Sequence, residues 1–449
     1  MSSLRELLHQ ADALARAGHT EKAIATYTSA IGESPTDSQA YLGLASVYHS
    51  QGHLQKAIGV LEQAKAADVQ NAVVFNNLGV LYYKCGTFRL AKEHLRRAIE
   101  VNPEYSEATY SLGKLHLREL EFDAASTLLR RCLRTDGGLS RAGQALKGVA
   151  AAKMRSGLPL RISIFAFSDV ERNQQRKLRW GDYWVKHDLK KALERMGHAV
   201  VERDPDVFVH LFGAPLRAVP SATWNVLWIH SHPDWVTPGL LKSYDRVFCI
   251  SPQFVKIIRS WGIDAHLLVG ATSKKPVKTD IKYDLLFVGN TKGRQGRRII
   301  RDLGDLSSFP YKLKVWGEGW KELVPSEFYG GLYYDNQELG RLYASSLISL
   351  NDHHDDMRRN GFINPRILDI LASGGFCISD RHEGVRAIFG RSVPTYGCPR
   401  ELRALIDRYV LQPEARRALM DRGRQIAASY SFEYLAGELL QSISAPETS

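Results

Sequence analysis

From the N-terminus to about residue 155 the apolar positions recur at helical spacing, and that helical pattern itself repeats every 34 residues. Gly18, Gly52, Gly86 and Leu120 share one phase, and Ala23, Ala57, Ala91 and Ala125 a second. Ala30, Ala64, Ala98 and Cys132 form a third, Tyr27, Leu61, Leu95 and Leu129 a fourth, while Pro35 and Pro103 stand where units end. Small residues at fixed phases let two helices pack closely, and the large ones between them fill the interface. The spacing predicts four helix pairs over about residues 7–138, with a closing helix from Ala142 to Met154 to cover the last face. After the short linker Ser156–Pro159 the pattern changes to brief apolar runs: Arg161–Phe167, Val207–Phe212, Asn225–His230 and Arg246–Ile250. A second series follows at Asp284–Val288, Lys312–Trp316, Leu347–Leu350 and Phe376–Ser379. Strands alternating with helices predict parallel, doubly wound sheets. Two such series in succession predict two Rossmann-like lobes with a cleft between them. The expected class is therefore α + α/β, with a helical solenoid over 1–155, one lobe over 160–275 and a second over 280–445.

The repeated segment, including Phe75–Tyr82 as a first helix, resembles the tetratricopeptide repeat. Stacked helix pairs of that kind create a concave groove, which implies a protein or peptide docking surface. A rigid spacer or a dimerisation arm is the alternative.

Composition narrows the setting. The formal net charge of +12 suits an acidic or phosphorylated partner, although a solvated basic surface also accounts for it. Charge is the only pointer to nucleic acid, since no aromatic-basic motif accompanies it. No apolar run approaches the ~20 residues that cross a bilayer, and the N-terminus lacks a signal peptide's apolar core. Contact with a membrane surface stays open. Cys85, Cys132, Cys249, Cys377 and Cys398 are scattered without a CxxC pair, so neither zinc nor a disulfide framework is indicated. A reduced cytoplasmic protein is expected.

The richest stretch is Asn351–Asp380. It runs from a strand end through a polar loop to Pro365, which suits a first helical turn. It continues at helical spacing to Gly374-Gly375 and ends in a second strand. In such βαβ units ligands bind beyond the carboxyl ends of the strands. The loop before Pro365 is thus a candidate site, with Asp369 pointing back into it. The order Asn351-Asp352-His353, Asp356-Met357, Gly361-Phe362-Ile363-Asn364, Arg366, Asp369 and Leu371–Gly374 resembles glycosyltransferases related to the spore-maturation protein CgeB. These lie within the GT4-like group of the two-lobed GT-B fold, and the resemblance covers roughly residues 160–440. It implies a nucleoside-diphosphate sugar as donor (UDP favoured), a ribose contact at Asp369, and donor-side roles for His353, Gly361, Phe362, Asn364 and Arg366. It also implies an acid before the Gly-Phe pair, facing the donor sugar; here Asn360 stands in that place and the spacing to Asp369 is one residue longer.

Other strand-end loops add candidates. Gly289-Asn290 is followed by a basic run in which Arg297, then Arg294, is favoured for the diphosphate, because glycine permits close approach and cations neutralise phosphate. Trp316-Gly317 resembles the family's strand-end turn near the base, and a plain packing turn is the alternative. In the first lobe His230 and His232 follow a strand and could accept an acceptor proton or touch the donor sugar. Asp182, in Trp180–Trp184 at the end of a basic loop, is a second candidate base or else a helix cap. No metal site is expected: Asp355-Asp356 lacks a ligand set. The resemblance implies glycosyl transfer without a bound cofactor, with a protein acceptor of the bacterial flagellin or surface-protein type recruited through the repeats. A glycan- or lipid-linked acceptor, or a scaffold with a vestigial catalytic fold, are the other readings.

Overall fold

The computed structural model describes residues 3–135, 140–220, 223–291 and 296–444. It divides into two compact units, Met1–Lys153 and Met154–Ser449.

In the first unit the repeated phases become helix pairs: α1 Leu4–Arg16 with α2 Thr20–Glu33, and α3 Ser38–Ser50 with α4 Leu54–Ala66. They continue as α5 Ala72–Lys84 with α6 Phe88–Val101, and α7 Ser106–Arg118 with α8 Phe122–Thr135. The closing helix α9 is Ser140–Arg155. Ala23, Ala57, Ala91 and Ala125 are fully buried, as are Ala30, Ala64, Ala98 and Cys132, which is what close helix contact requires. Gly18, Gly52 and Gly86 sit at positive φ, +77°, +78° and +76°. Each closes the first helix of its pair with the two bonds of a Schellman turn, for example Gly18 N–H to the Ala15 carbonyl and His19 N–H to the Leu14 carbonyl.

The fourth repeat keeps this turn with the wrong residue. Leu120 has φ +61° and donates to the Leu117 carbonyl, while its side chain is 64% exposed. The same repeat departs at a second phase: Ser3, Asp37 and Asn71 cap their helices through side-chain oxygens, whereas Tyr105 makes no such bond. A left-handed conformation costs a branched residue about 1–2 kcal/mol, part of which glycine gives back as unfolded-chain entropy. Leu120→Gly is therefore expected to stabilise the first unit by about 0.5–1 kcal/mol, measurable as a higher urea midpoint. An unchanged or lower midpoint would show that the exposed leucine contributes packing.

The second unit holds two six-stranded sheets, parallel at every pairing. The first comprises β1 Arg161–Ala166, β2 Ala199–Val200, β3 Val207–Phe212, β4 Trp224–Ile229, β5 Arg246–Cys249 and β6 Ala265–Leu267, in the order β2-β1-β3-β4-β5-β6. The second comprises β7 Tyr283–Val288, β8 Leu313–Trp316, β9 Tyr329–Gly331, β10 Ser346–Asn351, β11 Cys377–Asp380 and β12 Thr395–Tyr396, in the order β12-β11-β10-β7-β8-β9. Every position of β3 and β4 is buried, so both faces of the sheet are covered. The expected inner strands form to within a residue or two. The short edge strands β2, β6, β9 and β12 carry too few apolar residues to register as runs. The loop after β10 also holds a helical turn, Asp355–Arg359, where the sequence suggested only a polar loop. The last helix, Phe432–Ser444, returns to the first lobe: Arg246 Nε donates to the Ser442 carbonyl at 2.8 Å, and Arg195 pairs with Glu433 at 2.6 Å.

Candidate functional site

Strand order decides where a ligand can lie. The first sheet changes direction between β1 and β3, and the second between β7 and β10. Crevices open at the carboxyl ends of strands at such switch points. A cavity of about 810 Å³ stands there, lined by Phe167, Gly213 and His230, which directly follow β1, β3 and β4. Opposite them are Val288–Thr291 at the end of β7, Trp316–Glu318 at the end of β8, and Asn364–Arg366 with Asp369 beyond β10.

The guanidinium of Arg366 lies over the Phe287 ring, 5.4 Å from its centroid, and its Nη1 donates to Asn351 Oδ1 at 2.9 Å. A Cβ added to Gly289 would stand 2.7 Å from Arg366 Nη2, so the glycine leaves the space this guanidinium occupies. Burial lowers the Arg366 pKa from its ordinary high value. Asn290 Oδ1 accepts the Glu318 N–H at 2.9 Å and ties the loops after β7 and β8 together. Trp316 presents its ring to the cavity edge-to-face with Tyr334, 4.9 Å between centroids, and its Nε1 is buried without a hydrogen-bond partner among the described residues. Gly317 holds φ +137°, and a side chain there would collide with the Gly289 carbonyl.

Asp369 stands in the first turns of the helix Arg366–Ala372, one oxygen accepting the Thr272 hydroxyl at 2.6 Å. Burial raises its pKa, opposed by the charge of Lys274 and the Thr272 hydrogen bond. Lys274 and Thr272 come from the chain joining the two lobes, and Lys274 Nζ donates to the carbonyl and side-chain oxygens of Asn336, each at 2.6 Å. Their polar, lysine-rich context reads as a linker, so nothing in the sequence marked them.

On the first lobe, burial together with the charges of His232 and His210 pushes the His230 pKa down to about 3. Its imidazole is therefore neutral at ordinary pH, and its buried Nε2 has no hydrogen-bond partner among the described residues. His232 lines the cavity at φ +51°, stacked on Trp235 at 4.5 Å. Asp182 also lines it. It is not the cap of a helix starting at Tyr183: the helix is Gly181–Arg195, and the Asp182 carboxylate accepts the Ser168 N–H at 2.7 Å, joining the loop after β1 to that helix. Burial raises its pKa, against these hydrogen bonds.

Several residues named from the sequence lie elsewhere. Arg297 is 5% exposed and does not line the cavity. It pairs with Asp352 at 2.6 Å and also donates to the Asp352 carbonyl at 2.8 Å, because a buried guanidinium needs its charge and N–H groups satisfied. Arg294 lies outside the described residues. His353 sits behind the cavity wall; its Nε2 accepts the Asn364 N–H at 2.9 Å, which leaves Nδ1 as the protonated nitrogen facing Asp380 Oδ1 at 2.6 Å. Gly361, at φ +68°, and Phe362 are buried against the first lobe, where Phe362 meets the Phe254 ring edge-on at 5.4 Å. The Asn360 carbonyl accepts the Ser251 hydroxyl at 2.6 Å and its amide donates to the Asp356 carbonyl at 2.9 Å, so this position joins the lobes rather than facing the cavity.

Residues 14–76 and 76–140 match two family models described as tetratricopeptide repeat, and residues 294–441 match one described as glycosyl transferase-like. A search of curated proteins finds no match. Among solved structures the chain is similar to YrrB, a tetratricopeptide-repeat protein with an unusual peptide-binding site, at 26% identity over 33% of this chain and 76% of that one, with a TM-score of 0.29. It is similar to MamA at 25% identity over 33% and 85%, with a TM-score of 0.30. It is also similar to PilF of Pseudomonas aeruginosa at 19% over 43% and 86%, with a TM-score of 0.31. Among the described residues no helix is long and apolar enough to cross a membrane.

Proposed function

We propose that this chain, a tetratricopeptide-repeat module joined to a glycosyl transferase-like domain, moves a sugar from a nucleoside diphosphate to a protein acceptor brought by the repeats. The observation that carries this reading is the guanidinium of Arg366, stacked on Phe287 beside Gly289 where the second sheet changes direction. A diphosphate over Gly289 meets a fixed, planar cation that can stabilise the charge developing on the leaving group. Asp369 then takes the ribose hydroxyls and Trp316 stands on the base side. The two facing lobes suit the GT-B arrangement. Neutral His230 lines the cavity on the side expected for the donor sugar, while Asp182, with its raised pKa, is the group on the acceptor side able to receive a proton. Charge neutralisation by Arg366 suits transfer without a metal ion, with UDP the favoured nucleotide and the cytoplasm the place where such donors are made.

A thermal-shift screen against UDP-, GDP-, CMP- and dTDP-sugars tests this. A ligand at a hundred times its Kd stabilises the fold by about 2.7 kcal/mol. One nucleotide class should raise Tm, with EDTA making no difference, and Asp369→Ala should abolish the shift. If no donor shifts Tm and none is hydrolysed, the non-catalytic scaffold reading replaces this one.

A further inference from the structure

Between β1 and the helix Gly181–Arg195 the chain carries Arg172, Arg176, Lys177 and Arg179, and none of the four has an acidic partner among the described residues. The acids of the same segment are engaged: Asp169 pairs with Lys186 at 2.7 Å, and Glu171 accepts the Asn173 N–H at 2.8 Å. The segment is held in place. Trp184 Nε1 donates to the Leu178 carbonyl at 2.8 Å, and Trp180 packs on Phe167 with 5.0 Å between ring centroids. Its far end, Leu178–Asp182, is the wall of the cavity beside His230, across from Arg366 and Asp369. Unpaired cations on an anchored rim present a standing positive field that concentrates anions at the mouth.

We infer that the acceptor is an acidic peptide segment, bound by its carboxylates along Arg172, Arg176, Lys177 and Arg179, with the residue to be modified reaching past Leu178 into the cavity. This rests on reading the cavity as a transferase site with a protein acceptor. A membrane surface fits the same segment less well. Of its apolar side chains only Val170 is exposed, whereas Leu178 and Trp180 are half-buried and line the cavity, so the segment lacks an apolar face to insert. Rim charges of this kind raise the encounter rate and make binding salt-dependent.

The test uses the full chain and a fluorescein-labelled peptide of Ser, Gly and Asp, beside the same peptide with Asn for Asp, followed by anisotropy at two salt concentrations. The Asp peptide is expected to bind about tenfold more tightly than its Asn counterpart at low salt, and to lose that advantage at high salt. The triple variant Arg172→Gln, Arg176→Gln, Lys177→Gln should remove the same preference while melting at the wild-type temperature. Equal binding of the Asp peptide by wild type and triple variant would overturn the inference. So would binding to phosphatidylglycerol vesicles, lost in the triple variant, without any binding of the Asp peptide. The nucleotide-sugar shift of the wild-type protein, measured on the same samples, reports separately on the transferase reading.

Discussion

Arg366→Ala should lower kcat/KM for the donor by about 10²–10³-fold, the loss typical of removing one preorganised group from a developing oxyanion. The guanidinium is held before any ligand arrives by the Phe287 ring and by Asn351 Oδ1, in the space that Gly289 leaves free. That preorganisation is what makes it effective, since little rearrangement accompanies charge development. Arg366→Lys should recover only part of the rate, because an ammonium lacks the planar fork that meets two phosphate oxygens and stacks on an aromatic face. Gly289→Ala should act in the same direction by displacing the guanidinium without removing its charge. Steady-state kinetics on the three variants, with melting curves as a control on folding, separates these effects. A kcat/KM for Arg366→Ala within threefold of wild type would remove Arg366 from the donor site.

Arg297→Met should behave in the opposite way, with a large loss of stability. Arg297 and Asp352 are 5% and 1% exposed, and the pair is joined at 2.6 Å and 2.9 Å. Taking away the arginine leaves a carboxylate charged and buried, which costs about 3–5 kcal/mol, or a Tm lower by on the order of 10 °C in a unit of this size. Replacing Asp352 with Asn in the same chain should restore part of that, because the neutral amide can still accept the Ile299 N–H that Asp352 Oδ2 accepts at 3.3 Å. Calorimetry of the single and double variants checks this. If Arg297→Met melted like wild type but failed to respond to the donor, Arg297 would have to reach the cavity in the working enzyme. Together the Arg297 and Arg366 variants separate a cation that holds the lobe together from one that faces the cavity.

The contrast between the two arginines is set by strand pairing. Arg297 follows a glycine-bearing strand end within a basic run, and in sequence it has the stronger claim to a diphosphate. Spacing along the chain cannot show that β7 pairs with β10, with Leu285 beside Ile348 and Phe287 beside Leu350. That pairing brings Gly289 next to Asn351 and Arg366. It also sets Asp352 beneath Arg297, so the nearer cation is engaged and the farther one is left at the cavity. Lys274 and Thr272 were silent for a related reason. They belong to the chain between the lobes, and they matter only because its path runs beside Asp369.

By itself the sequence determined what depends on local chemistry. Four copies of small and large residues at fixed phases specify helix pairs, because each phase meets the same neighbour in every copy. Long apolar runs specify the inner strands, because a strand covered on both faces needs no polar alternation. The glycines at 18, 52 and 86 mark turns at positive φ, and Leu120 shows that the turn persists when the other repeats enforce it. Tertiary structure alone decided the rest. Edge strands of two or three residues exist because a neighbouring strand offers them partners, Asn360 serves to join the lobes, and the choice between Arg297 and Arg366 as the cation facing the cavity follows from sheet order, since contacts between residues distant in sequence are fixed by which strands lie side by side.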